Sequence, residues 1–242
     1  MNIEQSHTVK ARDILSQSVR IVDKTFTLFC LLSILLILPS TIFDLLFLQT
    51  SILHINDSSY AYFALISTFL DLFAYVATFI GIVYLTRETM LGQRVSLIDV
   101  LKFIYTKYEM VFRTEFIAFL LIIIPGLFLV VPGVIVATYI LFAGILSTIR
   151  SSKVIDAIKG SYWYVKGRFW EVFRVQLLVG GLVLLQNLVI IWASRTVPGI
   201  WVLHKLIPNI LVAIISSFPI AAYTILFLDI ESKNTSFAPV LE

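Results

Sequence analysis

Long stretches that carry almost no charge alternate along this chain with shorter polar, basic ones. A helix that crosses a membrane needs about 20 mostly apolar residues. Runs of that kind occupy residues 26–48, 61–85, 175–194 and 210–229, and a longer one covers 114–149. Pro39 removes one backbone hydrogen bond from the first run and predicts a kink there. Ahead of that run, Ile14, Leu15, Val19, Val22 and Phe26 recur at helical spacing. They predict an amphipathic helix over 11–25, lying on the membrane or packed under the bundle. Residues 1–10 show no such period and read as disordered. Residues 86–113 are polar and basic, and Ser96-Leu97-Ile98-Asp99 within them resembles a capping box. The helix it opens has an apolar face of Leu97, Leu101, Ile104, Tyr105, Tyr108 and Phe112.

The 114–149 run is long for one span and short for two. It reads TEFIAFLLIIIPGLFLVVPGVIVATYILFAGILSTI, and a basic, aromatic segment follows at once, RSSKVIDAIKGSYWYVKGRFWEVFR. The basic segments 86–113 and 149–174 flank it, and short basic loops stay in the cytoplasm. The run must then cross twice. The expectation is a hairpin of two short spans, 114–130 and 133–149, turning near Pro132-Gly133, with Pro125-Gly126 as a second break. A proline pushes its predecessor out of helical geometry, and glycine tolerates a turn. A broken span or a re-entrant pair is the alternative.

Six spans with both termini in the cytoplasm follow. On that map four Lys or Arg lie in 1–25, five in 86–113, six in 149–174 and one in the tail, against Arg195 and Lys205 outside. The three cytoplasmic segments also align. With Asp13, Asp99 and Asp156 in register, Val19 matches Tyr105 and Tyr162, and Phe26 matches Phe112 and Phe169. A threefold repeat of helix plus hairpin, over 11–86, 96–149 and 152–229, accounts for this within one membrane domain, residues 1–242. The period of any amphipathic helix is the competing account.

Composition agrees: 59% of residues are hydrophobic and 14% charged, against about 25% charged in soluble domains. The single cysteine, Cys30, lies in an apolar run and behaves as a small hydrophobe. His7, His54 and His204 are scattered, and no metal-ligand spacing, phosphate-binding loop or nucleophile elbow is present in the sequence. The expectation is a non-enzymatic protein without cofactor or metal. Nucleic-acid binding is disfavoured by the small basic excess, +3 overall.

Two sets of residues carry candidate function. Asp71 lies inside the second run, where a charge costs about 2.5–3.5 kcal/mol on insertion scales. It should face the bundle interior. With Gln186, Asn187, Asp44 and Arg195 it could line a polar cavity and serve a small transporter or channel. Hydrogen bonds that fix helix packing would explain the same residues. The second set is Lys159, Trp163, Lys166, Arg168, Trp170 and Arg174. Bases and aromatics at an inner interface anchor a helix among headgroups, and each base adds about 1 kcal/mol near an anionic leaflet. Membrane lipids, a membrane-protein partner or a second copy of the chain are the expected partners.

Three quoted segments resemble one bacterial family. They are Ile124-Pro125-Gly126 with Val131-Pro132-Gly133-Val134, then Ala157-Ile158-Lys159-Gly160-Ser161-Tyr162-Trp163, then Val165-Lys166-Gly167-Arg168-Phe169-Trp170. The resemblance is to the membrane domain attached to some bacterial glycerophosphodiester phosphodiesterases and to its stand-alone six-span relatives. It covers about residues 95–190, and the family's Ser-Trp pair is displaced here by one residue, Tyr162. It implies an all-α, six-span protein of a bacterial inner membrane. The phosphodiesterase barrel is absent from this sequence, so the resemblance implies no phosphodiesterase activity. It leaves lipid or amphiphile handling, a membrane component of a transport or export system, and an accessory, immunity or scaffold protein as expectations.

Overall fold

The structure is a computed structural model that describes residues 11–51, 57–196 and 201–233. For 11–12, 44–51, 57–61, 64, 189–190, 192–196 and 201–216 only the backbone course is described. The described residues form eight helices, and no strand occurs among them: α1 Ala11–Ser51, α2 Asp57–Met90, α3 Leu97–Phe128, α4 Val130–Tyr139, α5 Ala143–Arg150, α6 Val154–Val165, α7 Phe169–Thr196 and α8 Trp201–Lys233.

Five stretches are long and apolar enough to cross a membrane: Asp13–Phe43, Leu65–Met90, Leu97–Phe128, Val130–Arg150 and Phe169–Leu188. The sixth expected span, 210–229, falls in α8, and its residues 210–216 lie outside the described side chains. Phe116, Phe119, Leu120, Leu177, Leu184 and Leu188 point outward. Soluble monomers rarely expose apolar area on that scale, whereas a lipid-facing surface requires it.

Two of the three expected interfacial helices are not separate. The amphipathic stretch 11–25 runs without a break into α1, through Pro39. The stretch 97–113 continues in the same way into α3. Nothing in either stretch stops a helix, and a continuous one keeps every backbone hydrogen bond. Only α6 stands as a helix of its own. The expected capping box does open α3: the Asp99 amide donates to Ser96 Oγ at 3.3 Å, and the Ser96 amide donates to Asp99 Oδ2 at 3.2 Å.

Some of the aligned positions share their environments, although Phe26 is exposed where Phe112 and Phe169 are partly buried. Ile14, Val100 and Ala157, one residue after each aspartate, are buried, as are Ser18, Ile104 and Ser161 four residues further on. Val19, Tyr105 and Tyr162, the next residues, are exposed.

Antiparallel neighbours meet through rings. Phe43 faces Phe63 between α1 and α2 at 5.9 Å, and Tyr84 stacks on Phe103 between α2 and α3 at 4.2 Å. The core is built from Phe29 and Leu32 of α1, Ile80 and Leu85 of α2, Phe142, and Ile225 to Phe227 of α8. Residues Ala143 to Thr148 of α5 are all buried inside it. Gly81 lets Leu32 approach: a Cβ there would sit 2.4 Å from Leu32 Cδ2. Gly180 and Gly181 of α7, by contrast, have open space where a Cβ would go.

The 114–149 run does form a hairpin, but its turn is elsewhere. Leu129 alone is extended, at φ −154° and ψ 131°, between α3 and α4. Pro125-Gly126 lies inside α3, and Pro132-Gly133 inside the first turns of α4. Proline suits a first helical turn, where its missing N–H is not needed. Gly133 packs on Gly126, and a Cβ at Gly133 would sit 2.8 Å from the Gly126 Cα. The glycines therefore serve the crossing of α3 and α4 rather than the turn.

Candidate functional site

The returning arm of that hairpin is itself broken, between Tyr139 and Ala143. Such a break leaves backbone groups without helical partners, a cost of about 1–3 kcal/mol for each one buried. Ser161 of α6 answers both sides of it. Its hydroxyl donates to the Tyr139 carbonyl at 2.8 Å and accepts from the Phe142 amide at 3.0 Å. Thr138 Oγ1 lies 2.7 Å from Gln176 Oε1 of α7, and Thr114 Oγ1 of α3 lies 3.1 Å from Ser147 Oγ. A polar seam thus joins α3, the break, α6 and α7.

Docked in this way, α6 turns one face inward and the other out. Ala157, Gly160, Ser161, Tyr164 and Val165 are buried. Ile155, Tyr162 and Trp163 are exposed. The inner ring of Tyr164 rests on Phe227 of α8 at 5.2 Å. The Arg150 guanidinium lies over the same ring at 5.9 Å and donates from Nε to Glu231 at 2.9 Å. Burial pushes the Tyr164 phenol up from its ordinary value, Arg150 pulls it down and Glu231 adds to the rise. Lys107 of α3 bonds Ser151, which stands in a left-handed conformation at φ 56°. These contacts gather the ends of α3, α5 and α8 at one basic end of the bundle.

On the outer face the second set of candidates comes together. Lys166 Nζ lies 4.6 Å from the centre of the Trp163 ring and 5.9 Å from that of Tyr162. Tyr139, beside the break, holds both Tyr162 at 5.1 Å and Phe169 at 5.4 Å. Phe169 and Phe173 in turn meet Trp170 edge-on at 5.5 Å and 5.9 Å. Gly167, at φ 88°, makes the bend between α6 and α7. Lys159, Trp163, Lys166, Trp170 and Arg174 are exposed, and Arg168 is partly buried. Trp163 and Trp170 keep 55% and 68% of their surface open. In a cytoplasmic domain such rings would be costly; at a headgroup boundary they are at home. Glu171, in the first turn of α7, has one buried carboxylate oxygen without a hydrogen-bond partner.

Of the first set, the described residues Asp71, Gln186 and Asn187 are not brought together. Asp71 is exposed on α2 beside Leu72 and Phe73, not turned into the bundle. Its neighbours at helical spacing decide the matter, because Val76, Phe79, Ile80 and Val83 fill the inner face. Gln186 is partly buried, and exposed Asn187 donates from Nδ2 to its own helix, at the Val183 carbonyl, 2.8 Å away. The side chains of Asp44 and Arg195 lie outside those described. No hydrogen bond joins Asp71 to Gln186 or Asn187 among the described residues.

Residues outside both candidate sets make the contacts instead: Ser161, Thr138 and Gln176 along the seam and the Arg150–Glu231 pair at the basic end, with Glu115 apart from both. Glu115 is the single acidic residue between Thr114 and Ile149, and that isolation was the available signal. Among the described residues no group of three His, Cys, Asp or Glu could hold a metal ion. No protein-family model, curated protein or solved structure matches the chain.

Proposed function

We propose that this chain is a six-span protein of a bacterial inner membrane whose basic end recognises anionic lipid headgroups. Both termini and helix α6 lie on the cytoplasmic side in this reading. The observation that carries it is the exposed cluster of Trp163, Lys166 and Trp170, with Lys159 and Arg174 open beside it. Rigid rings set the depth of a headgroup, and the cations supply its counter-charge. Anchoring α6 on Ser161 keeps that surface fixed relative to the spans, as a lipid-handling protein or the membrane component of a transport system needs. The three aspartate-led helices, with their shared burial, favour a threefold repeat in which the third copy has acquired the aromatic surface. The motifs in residues 95–190 that resemble the phosphodiesterase-linked membrane domain are structural and carry over no catalytic residues.

Native mass spectrometry of the protein released from mixed phosphatidylglycerol and phosphatidylcholine nanodiscs tests the reading. Retained phosphatidylglycerol should dominate for the wild type and fall several-fold when Lys159, Lys166, Arg168 and Arg174 are replaced by Gln. Equal retention of the two lipids by the wild type would refute it. The same spectra report a second copy or a co-purifying protein, the alternative uses of this surface.

A further inference from the structure

Glu115 belongs to none of the groups assembled above. It follows Thr114, whose hydroxyl joins α3 to Ser147 of α5. Its carboxylate enters the bundle at the one place where α5 has no side chain: a Cβ on Gly144 would fall 1.7 Å from Glu115 Oε1 and 3.0 Å from the Phe79 ring. The gap left by Gly144 is thus the seat of the carboxyl group. Tyr75 of α2 lies within electrostatic reach of both Glu115 and Tyr223 of α8. The elements packed against α3 are α2, α4, α5 and α6. Tyr75, half exposed on α2, is the ionisable group of that helix within reach of Glu115; the one charge of α5, Arg150, pairs with Glu231, and Tyr164 of α6 lies against Phe227 and Arg150. Tyr139 of α4 faces the rings of Tyr162 and Phe169 instead. The charges nearest on its own helix, Glu109 and Arg113, pair with each other at an exposed face. Among the described residues Glu115 has neither an ion pair nor a hydrogen bond.

A carboxylate without a counter-ion is far costlier in an apolar interior than the neutral acid. We propose that Glu115 is a proton-accepting site inside the bundle, seated in the gap that Gly144 leaves beside the Phe79 ring. In the described packing the group is the neutral acid. Release of its proton to water leaves an anion with no basic partner, which is driven out of the gap and loosens α5 against α3. The site would therefore couple protonation to the packing of the hairpin that carries the break and α6. This does not depend on lipid recognition at the basic end.

Infrared spectra of the wild type and Glu115→Gln in phosphatidylcholine nanodiscs provide the test. The wild type should show, at neutral pH, the carbonyl stretch of a protonated carboxyl that E115Q lacks, and that band should fade as pH rises. A spectrum holding only carboxylate at neutral pH overturns the proposal. Should E115Q fail to fold, the wild type alone suffices. A hydrophobic carbodiimide adds the acid O–H across its C=N bond, and the adduct rearranges to a stable N-acylurea. Peptide mapping should place that adduct on Glu115 with a yield that falls several-fold as pH rises, and absence of the adduct at every pH also overturns the proposal.

Discussion

Two breaks interrupt the apolar run between Thr114 and Arg150, and they differ in kind. The first, at Leu129, lies at an exposed hairpin tip where Phe128 keeps 82% of its surface open. The Leu129 amide donates to the Pro125 carbonyl at 3.0 Å, and no side chain caps α4. The second, at Ile140–Phe142, lies among buried residues and is closed by Ser161 from another helix. A tip at the membrane edge meets water and polar headgroups, so its backbone needs little from the protein. A break inside the bundle must find each partner within the fold. The inner break therefore has a use: it fixes α6, and with α6 the aromatic and basic surface.

The comparison can be broken by substitution, and the largest effect is expected beside the inner break. Gly144→Val puts a side chain where Glu115 and Phe79 already sit. Overpacking of that kind costs about 3 kcal/mol or more, read as a sharp fall in the midpoint of thermal unfolding in detergent. Ser161→Ala removes both contacts across the break and should cost about 1–3 kcal/mol. It should also weaken retention of phosphatidylglycerol, because α6 loses its anchor; unchanged stability and lipid retention would sever the link between break and surface.

The tip yields a finer contrast. A methyl group at Gly133 meets the Gly126 backbone, which cannot give way, so Gly133→Ala should cost about 1–3 kcal/mol. Gly126 has open space beside it, and Gly126→Ala should be neutral or stabilise by up to about 1 kcal/mol through helix propensity. Equal thermal shifts for the two variants would contradict the described crossing. The smallest effect belongs to the turn itself: Leu129→Ser should change stability by less than about 0.5 kcal/mol.

Much of the architecture was legible in the runs and their flanking charges: helical spans, a hairpin within 114–149, the capping box at Ser96 and Asp99. The positions of the breaks were not. Pro125-Gly126 and Pro132-Gly133 look like punctuation, yet helices run through both pairs: Pro132 stands in a first turn, where its missing N–H is not needed, α3 carries Pro125 inside it, and the glycines serve a crossing. The true inner break carries Ile140, Leu141 and Phe142, which signal nothing locally. It is closed by a serine 19 residues away from Phe142. The same limit explains Asp71 and Glu115. Depth in an apolar run suggested Asp71, but the side a residue faces decides its role, and that depends on the apolar residues around it. The exposed bases and rings from Lys159 to Arg174 could be picked out beforehand, because composition alone marks them.

The central claim is that this surface sits against anionic lipid. Trp163 and Trp170 are two of four tryptophans, so Trp192→Phe and Trp201→Phe together isolate their fluorescence. In vesicles, brominated phosphatidylglycerol should quench that emission several-fold more than brominated phosphatidylcholine at equal total lipid. Replacing Lys159, Lys166, Arg168 and Arg174 by Gln should abolish the preference. Equal quenching by both lipids before any charge is removed would contradict the account.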